Sequence, residues 1–364
     1  MDRSPGSPGS PGPPGPPGPP GSSGDSASPT FLQEVREAVT ARAALLVLGA
    51  LVLQLAFITS YVGAFHSPRP KDIATGVVAP RQLAGQLVDK LAGLPGGPLD
   101  PRAVRDEREA RRQLRERDLE AALIVDPRGT TDTLLVAGGA GASLAQAAEA
   151  VVTRAEAAEQ RSLKIVDTAP SAAGDARGLT SFYLVVGWCV GGYLCAAILA
   201  ISAGARPANP RRAGFRLAAL ALYAIGSGLL GAVITGPALG ALPGSVLGLW
   251  GLGALVVFAV GATTLALQGL AGIIGIGLAI AIVVVLGNPS AGGAYPYPLL
   301  PPFWRAIGPA LPPGAGTWSA RSIAYFRGNA LTGSLLVLSA WAVAGTAVTM
   351  VCAAFRRRSL APPP

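Results

Sequence analysis

The sequence predicts a polytopic α-helical membrane protein, with about six transmembrane helices and one small extracytoplasmic α/β domain between helices 1 and 2. Three observations lead there. Half of the 364 residues are apolar and only 13% are charged, where soluble domains run at about a quarter charged. All 20 Asp and Glu residues lie at or before Asp175, so Ala176–Pro364 carries 11 arginines and no carboxylate side chain. Six apolar segments of near-bilayer length are separated by short polar or basic stretches. The net charge of +9 does not point to nucleic acid. Ten of the late arginines, from Arg206 onward, flank or interrupt apolar segments, and residues 67–178 balance 16 basic against 16 acidic side chains.

Residues 1–28 are a Pro/Gly-rich tail in which Gly6, Gly9, Gly12, Gly15, Gly18 and Gly21 keep a period of three. Six triplets are too few for a collagen helix of their own, so an extended, disordered cytoplasmic tail is expected. Residues 29–43 pattern as a short interfacial helix, with Phe31, Leu32, Val35 and Val39 on one face. The first span is Ala43–Phe65, with Gln54 its one strongly polar residue. His66, the only histidine, stands at its end.

Residues 67–178 hold most of the charge and an α/β pattern. Strands are expected at Ile73–Ala79, Leu119–Val125, Thr133–Ala137 and Ser162–Val166, and helices at Arg81–Leu94, Arg102–Arg117 and Ala142–Gln160. Helices separate most of the strands, so parallel or mixed pairing is expected. Four further spans, transmembrane helices 2–5, occupy residues 179–286: Thr180–Ser202, Leu217–Ile234, Ser245–Leu267 and Leu270–Leu286. Residues 287–330 form an outer aromatic loop, and the last span, Leu331–Ala354, leads into Arg356, Arg357 and Arg358. The positive-inside rule puts both termini and the Arg206–Arg216 connection in the cytoplasm of a plasma-membrane protein, and residues 67–178 outside.

The chemistry-bearing motifs are few. There is no GxxxxGK[ST], GxSxG or HExxH, and no paired carboxylates in an apolar setting. An enzyme is not indicated, nor is a metal or cofactor. Cys189, Cys195 and Cys352 all lie in apolar runs and read as packing residues. Spans two to six contain no Asp, Glu, His or Lys, which argues against a proton- or sodium-coupled carrier. Any drive by ATP must come from a separate ATP-binding subunit, and Arg206, Arg211, Arg212 and Arg216 are the candidate coupling loop for it. The same charges also serve plain topological anchoring. Gly187 and Gly191 form a GxxxG pair suited to close helix packing or to a homodimer.

The 287–330 loop carries seven of the chain's 21 aromatic residues. Short helices near Pro302–Gly308 and Gly316–Phe326 are expected to lie at, or dip into, the headgroup layer, with Arg305, Arg321 and Arg327 reaching lipid phosphates. Gly287, Asn288, Pro289, Trp304, Pro312, Pro313, Gly314 and Trp318 are the candidate outer gate.

The element order, with Arg177–Tyr193 (RGLTSFYLVVGWCVGGY), Gly287–Ser290 (GNPS) and Leu311–Gly316 (LPPGAG), resembles the YhgE/Pip-like membrane proteins over about residues 30–358. That group is similar to type-2 ABC exporter permease subunits. The resemblance implies a homodimeric permease-like core, a coupling segment at 203–216 and re-entrant outer helices within 302–327. Some members carry much larger external insertions, and some are named for phage infection. A membrane-anchored envelope receptor or scaffold is therefore the alternative expectation.

Overall fold

The computed structural model describes residues 40–204 and 206–359. The tail at 1–28 and most of the interfacial helix at 29–43 lie outside the described residues. The chain divides into two units between Ala50 and Leu51. The boundary lies inside the first helix, α1 (Ala41–Phe65). Thr40 caps α1, its hydroxyl accepting from Ala43 N at 3.2 Å. Leu45, Leu46, Val47 and Leu48 of α1 are all exposed.

The α/β domain is a five-stranded mixed sheet in the order β2-β1-β3-β4-β5. Its strands are β1 (Ile73–Val78), β2 (Leu99–Ala103), β3 (Ala121–Ile124), β4 (Thr131–Val136) and β5 (Ser162–Asp167). Its helices are α2 (Arg81–Ala92), α3 (Glu107–Glu116) and α4 (Ala142–Ala158). β1 pairs in parallel with β2 and β3, β4 pairs in parallel with β5, and the β3–β4 hairpin is antiparallel. The period of two sorts the side chains onto two faces. Ile73, Val77, Leu123, Leu134 and Val136 pack under α2 and α4. Ala74, Val78, Ala122 and Leu135 pack against Ala110 and Leu114 of α3.

One helix differs from expectation. The segment Arg102–Arg117 does not begin as a helix: Arg102 and Ala103 close the ladder of β2 opposite Gly76 and Val77. Helix α3 starts only after Asp106, whose carboxylate accepts from Glu109 N at 2.8 Å as an N-cap. Strand β2 (LDPRA) was illegible because of Pro101. It is tolerated because β2 is an edge strand, where one face of the backbone needs no donor.

Among the described residues, five helices are long and apolar enough to cross a membrane. They are α1 and four others: α5 (Thr180–Ala203), α6 (Pro210–Ala238, ending in a π-helical turn), α7 (Val246–Ala271) and α11 (Thr332–Ser359). Helix α7 is the centre. Three glycines bring their backbones against it: a Cβ added at Gly192 of α5 would lie 2.7 Å from Val257 O, one at Gly228 of α6 2.5 Å from Ala254 N, and one at Gly345 of α11 2.6 Å from Thr263 N. The GxxxG pair is not such a contact, since Gly187 has nothing within 4 Å.

The expected span Leu270–Leu286 is displaced towards the C-terminus without a change in length. Helix α7 runs on to Ala271, the chain turns at Gly272 (φ +63°), and a 17-residue apolar helix, α8 (Ile274–Ser290), follows. It begins beside Arg206, whose guanidinium donates to Leu270 O at 2.8 Å. It ends close to the α/β domain, where Ser143 Oγ donates to Ala294 O at 2.8 Å. Helix α8 thus connects the same two ends of the bundle as its longer neighbours. Gly287–Ser290, expected in the loop, is its last turn. Pro289 has no N–H for the carbonyl four residues earlier. The helix widens into a π turn over Ala281–Gly287, and Val285 O accepts instead from Ser60 Oγ of α1. Two short helices complete the chain, α9 (Pro302–Ile307) and α10 (Pro312–Tyr325). The second starts a turn earlier than expected, with prolines in its first turn.

Close approach at Gly228 fixes the α6–α7 contact. Gly228→Val should cost about 1–3 kcal/mol of overpacking and lower the unfolding midpoint of the detergent-solubilised protein. Gly187→Val, in open space, should leave it unchanged.

Candidate functional site at the joint between the α/β domain and the helices

The α/β domain is fused to the membrane helices through α10 and the stretch before it. Leu299 and Tyr295, from between α8 and α9, enter the hydrophobic core of the sheet itself. Gly139 and Gly141, at the start of α4, are small because Tyr325 and Pro296 press on them: an added Cβ would lie 2.5 Å from each. Asp175 is 3% exposed and accepts from Thr180 N (2.9 Å), Thr180 Oγ1 (2.7 Å) and the Tyr325 hydroxyl (2.6 Å). One carboxylate thereby caps the first turn of α5 and ties it to the end of α10.

Arg321 is the centre of the joint. It lies on a helix made largely of Gly, Ala and Ser, so the backbone packs closely and the long side chain is enclosed, 3% exposed. Its guanidinium donates to Gly292 O at 2.6 Å, Gly293 O at 2.7 Å and Gly178 O at 3.2 Å. Three chain segments therefore meet on one cation. Arg117 approaches from the domain side. It ends α3 in the left-handed region (φ +64°), an uncommon conformation for a non-glycine residue. This aims its guanidinium over the Trp318 ring at 3.4 Å and the Phe326 ring at 4.9 Å. It also donates to Trp318 O at 2.9 Å and Ser322 Oγ at 2.7 Å.

Between the two arginines lies a cavity of about 30 Å³, lined also by Glu120, Tyr297, Trp318 and Phe326, the size of one or two waters. Glu120 Oε2, the Tyr297 hydroxyl and Arg321 Nε have no hydrogen-bond partner among the described residues. Burial pushes the Glu120 carboxyl up to about 7, against the pull of Arg117. Burial and the neighbouring Arg321 bring Arg117 down to about 9. Burial raises the Tyr297 hydroxyl to about 12. The cluster can hold a proton near neutral pH. Among the described residues no cluster of His, Cys, Asp and Glu could hold a metal ion.

The residues of the expected outer gate divide. Gly287, Asn288 and Pro289 pack directly on Pro312, Pro313 and Gly314, all of them buried. A Cβ on Gly287 would lie 2.7 Å from Pro313 Cγ, and one on Gly314 at 2.1 Å from Gly308 O. Trp318 belongs to the joint. Trp304 stands apart on α9, in edge contact with Phe303 and near Gly63 of α1. The arginines expected to reach lipid phosphates behave differently too: Arg321 is buried, and Arg305 pairs with Asp72 at 3.1 Å.

The basic connection at the far end also divides. Arg206 holds Leu270 O, and Arg216, 7% exposed, donates to Ala203 O and Gly204 O, both at 2.7 Å. Both brace the fold. Arg211 and Arg212 are exposed on the first turn of α6, behind the Asn209 N-cap that accepts from Arg212 N at 3.0 Å.

Sequence reasoning missed Arg117, Glu120 and Tyr297, which nothing in their local pattern separates from a charged surface or an aromatic anchor. Arg321 left a signal in its setting: a lone cation in a helix of small residues is built for enclosure.

No protein-family model matches the chain, no curated protein matches it in sequence, and no solved structure matches it in fold.

The raised Glu120 pKa fixes a sign. The folded state holds the proton more tightly than the unfolded chain, so this stability is present below the ordinary carboxyl value and lost as pH rises through about 7. The unfolding midpoint of the solubilised protein should fall between about pH 5 and about pH 8. Glu120→Gln should flatten that fall and raise the midpoint at the alkaline end; equal slopes would show that Glu120 does not titrate there.

Proposed function

We propose that the chain is the permease-like transmembrane subunit of an ABC-type export system in the plasma membrane, working as a homodimer and driven by a separate ATP-binding subunit. The observation that carries the reading is the arrangement along the bundle. At one end Arg211 and Arg212 stand exposed on the first turn of α6, with Arg206 and Arg216 bracing the backbone behind them. At the other end Arg321 and Arg117 lock the α/β domain to the helices. A push at the basic end has a continuous packed route, through α6 and α7 to α10, to the external domain. The lack of a nucleotide-binding loop, and of Asp, Glu, His and Lys in the later spans, fits a subunit powered from outside its own chain.

The same reading takes α8 as a sixth pass. Both termini and Arg211–Arg212 are then cytoplasmic and the α/β domain is outside. A single cysteine at Arg108, exposed on α3, should react with an impermeant thiol reagent on whole cells, in a background lacking Cys189, Cys195 and Cys352. One at Ser359 should react only after permeabilisation. The reverse pattern would overturn the orientation.

A second reading is a membrane-anchored envelope receptor or scaffold without transport. What favours it is the tight seal of Gly287 on Pro313 and of Gly314 on Gly308, which leaves no space for a methyl group where the gate was expected. Pull-down of the intact protein from gently solubilised membranes separates the two. Under the permease reading an ATP-binding subunit is recovered, and is lost when Arg211 and Arg212 are changed to Ala. Recovery of the protein alone, or with envelope proteins only, favours the receptor.

A further inference from the structure

A groove of about 1250 Å³ runs between α2 and α4 of the α/β domain on one side and the segment Leu300–Ala306 on the other. Its edge is the linker that leaves α1: the candidate span ends at Phe65, and Ser67, Arg69 and Lys71 already line the groove. The groove therefore opens where a membrane span ends. Phe303 of α9, next in the chain to the lining residue Pro302, is 57% exposed.

The lining has two chemistries. Leu94, Val151, Ala155, Leu300 and Pro302 give an apolar floor. Above it stand five cations, Arg69, Lys71, Lys90, Arg154 and Arg305, against one carboxylate in the lining, Asp72. Asp72 is already held by Arg305 at 3.1 Å and Lys71 at 3.6 Å. Lys90 is paired with Glu159, just outside, at 2.6 Å. Arg69 and Arg154 are exposed and have no ion-pair or hydrogen-bond partner among the described residues. The groove thus keeps a net positive charge over an apolar floor at the end of a span. That combination suits a molecule with an anionic head and a hydrocarbon tail. Free anions have no use for the floor, and a zwitterionic lipid has no use for the charge.

We propose that this groove binds an anionic phospholipid, its headgroup phosphate between Arg69 and Arg154 and its acyl chains along the Leu94–Val151–Leu300 floor. Its volume exceeds the roughly 300–1,000 Å³ of ordinary ligand pockets, so a headgroup with the upper part of its chains fits. Basic side chains attract anionic headgroups, and the two unpaired arginines carry the selectivity. The inference does not depend on transport: a permease and a receptor can both hold such a lipid.

The test uses the detergent-purified full-length protein in three calorimetric titrations, with dihexanoyl phosphatidylglycerol, dihexanoyl phosphatidylcholine and inorganic phosphate. Saturable binding of phosphatidylglycerol is expected, with much weaker binding of the other two. Arg69→Glu with Arg154→Glu should weaken it by at least about tenfold. Arg108→Glu with Arg128→Glu, which removes the same charge from exposed positions outside the groove, should not. Both pairs are exposed, and unchanged unfolding midpoints will verify folding; if the glutamate pair does not fold, Arg69→Gln and Arg154→Gln singly should each weaken binding. Equal binding of the two lipids overturns the proposal, as does phosphate binding as tightly as phosphatidylglycerol. Equal losses in the two double variants would make the effect one of bulk charge and also overturn it.

Discussion

The architecture turns on one buried cation. Arg321, on α10, binds the carbonyl of Gly178 at the exit from the α/β domain and those of Gly292 and Gly293 just after α8, so three segments meet on it. An unpaired buried carbonyl costs about 1–3 kcal/mol, and an unpaired buried guanidinium costs more. Neither side of the joint can therefore separate without exposing the other. With no carboxylate after Asp175, the later half of the chain has no ion-pair partner of its own to offer. Its buried arginines, Arg216 and Arg321, are held by backbone carbonyls instead, which requires the helices to end or turn where those carbonyls become free.

That requirement explains several local features together. Glycines at 178, 292 and 293 let the backbone come within hydrogen-bond distance of the guanidinium; Gly178 and Gly292 have positive φ, and a Cβ on Gly293 would meet the Phe182 ring at 2.3 Å. Asp175, the last carboxylate of the chain, holds Thr180 and Tyr325 beside the same cluster. Arg117 then adds a cation–π contact from the domain. Arg117 and Arg305 both favour the charged form of Glu120, yet burial outweighs them and raises its carboxyl to about 7. The joint is closely packed and polar at its centre.

The two ends of the molecule use arginine in different ways. At the far end Arg206 and Arg216 close helix termini, leaving Arg211 and Arg212 exposed. On the domain side Arg305 links the linker after α1 to α9, and Arg69 and Arg154 remain without partners on the groove. Sequence treats all of these as one class of flanking positive charge. Their separation into braces and available charges is decided by which carbonyls and carboxylates the fold brings within reach.

The membrane class, four of the long helices nearly to their ends and four of the five strands were legible in the sequence, because hydrophobic length and period are local properties. The sequence also marked the absence of acids in the later half, a fact of composition. It did not determine strand β2, where Pro101 masks an edge strand whose partner lies more than twenty residues earlier. It misplaced α8, since Pro289 ends an apolar run on paper but only widens the helix once Ser60 supplies the missing hydrogen-bond donor. The joint was the least legible part. Arg117, Glu120, Tyr297 and Arg321 are up to 204 positions apart, and each has an ordinary surface explanation alone. Only the tertiary structure brings them round one cavity. The physical reason is that burial of a charge is a property of the assembled neighbours, whereas hydropathy and period belong to the chain.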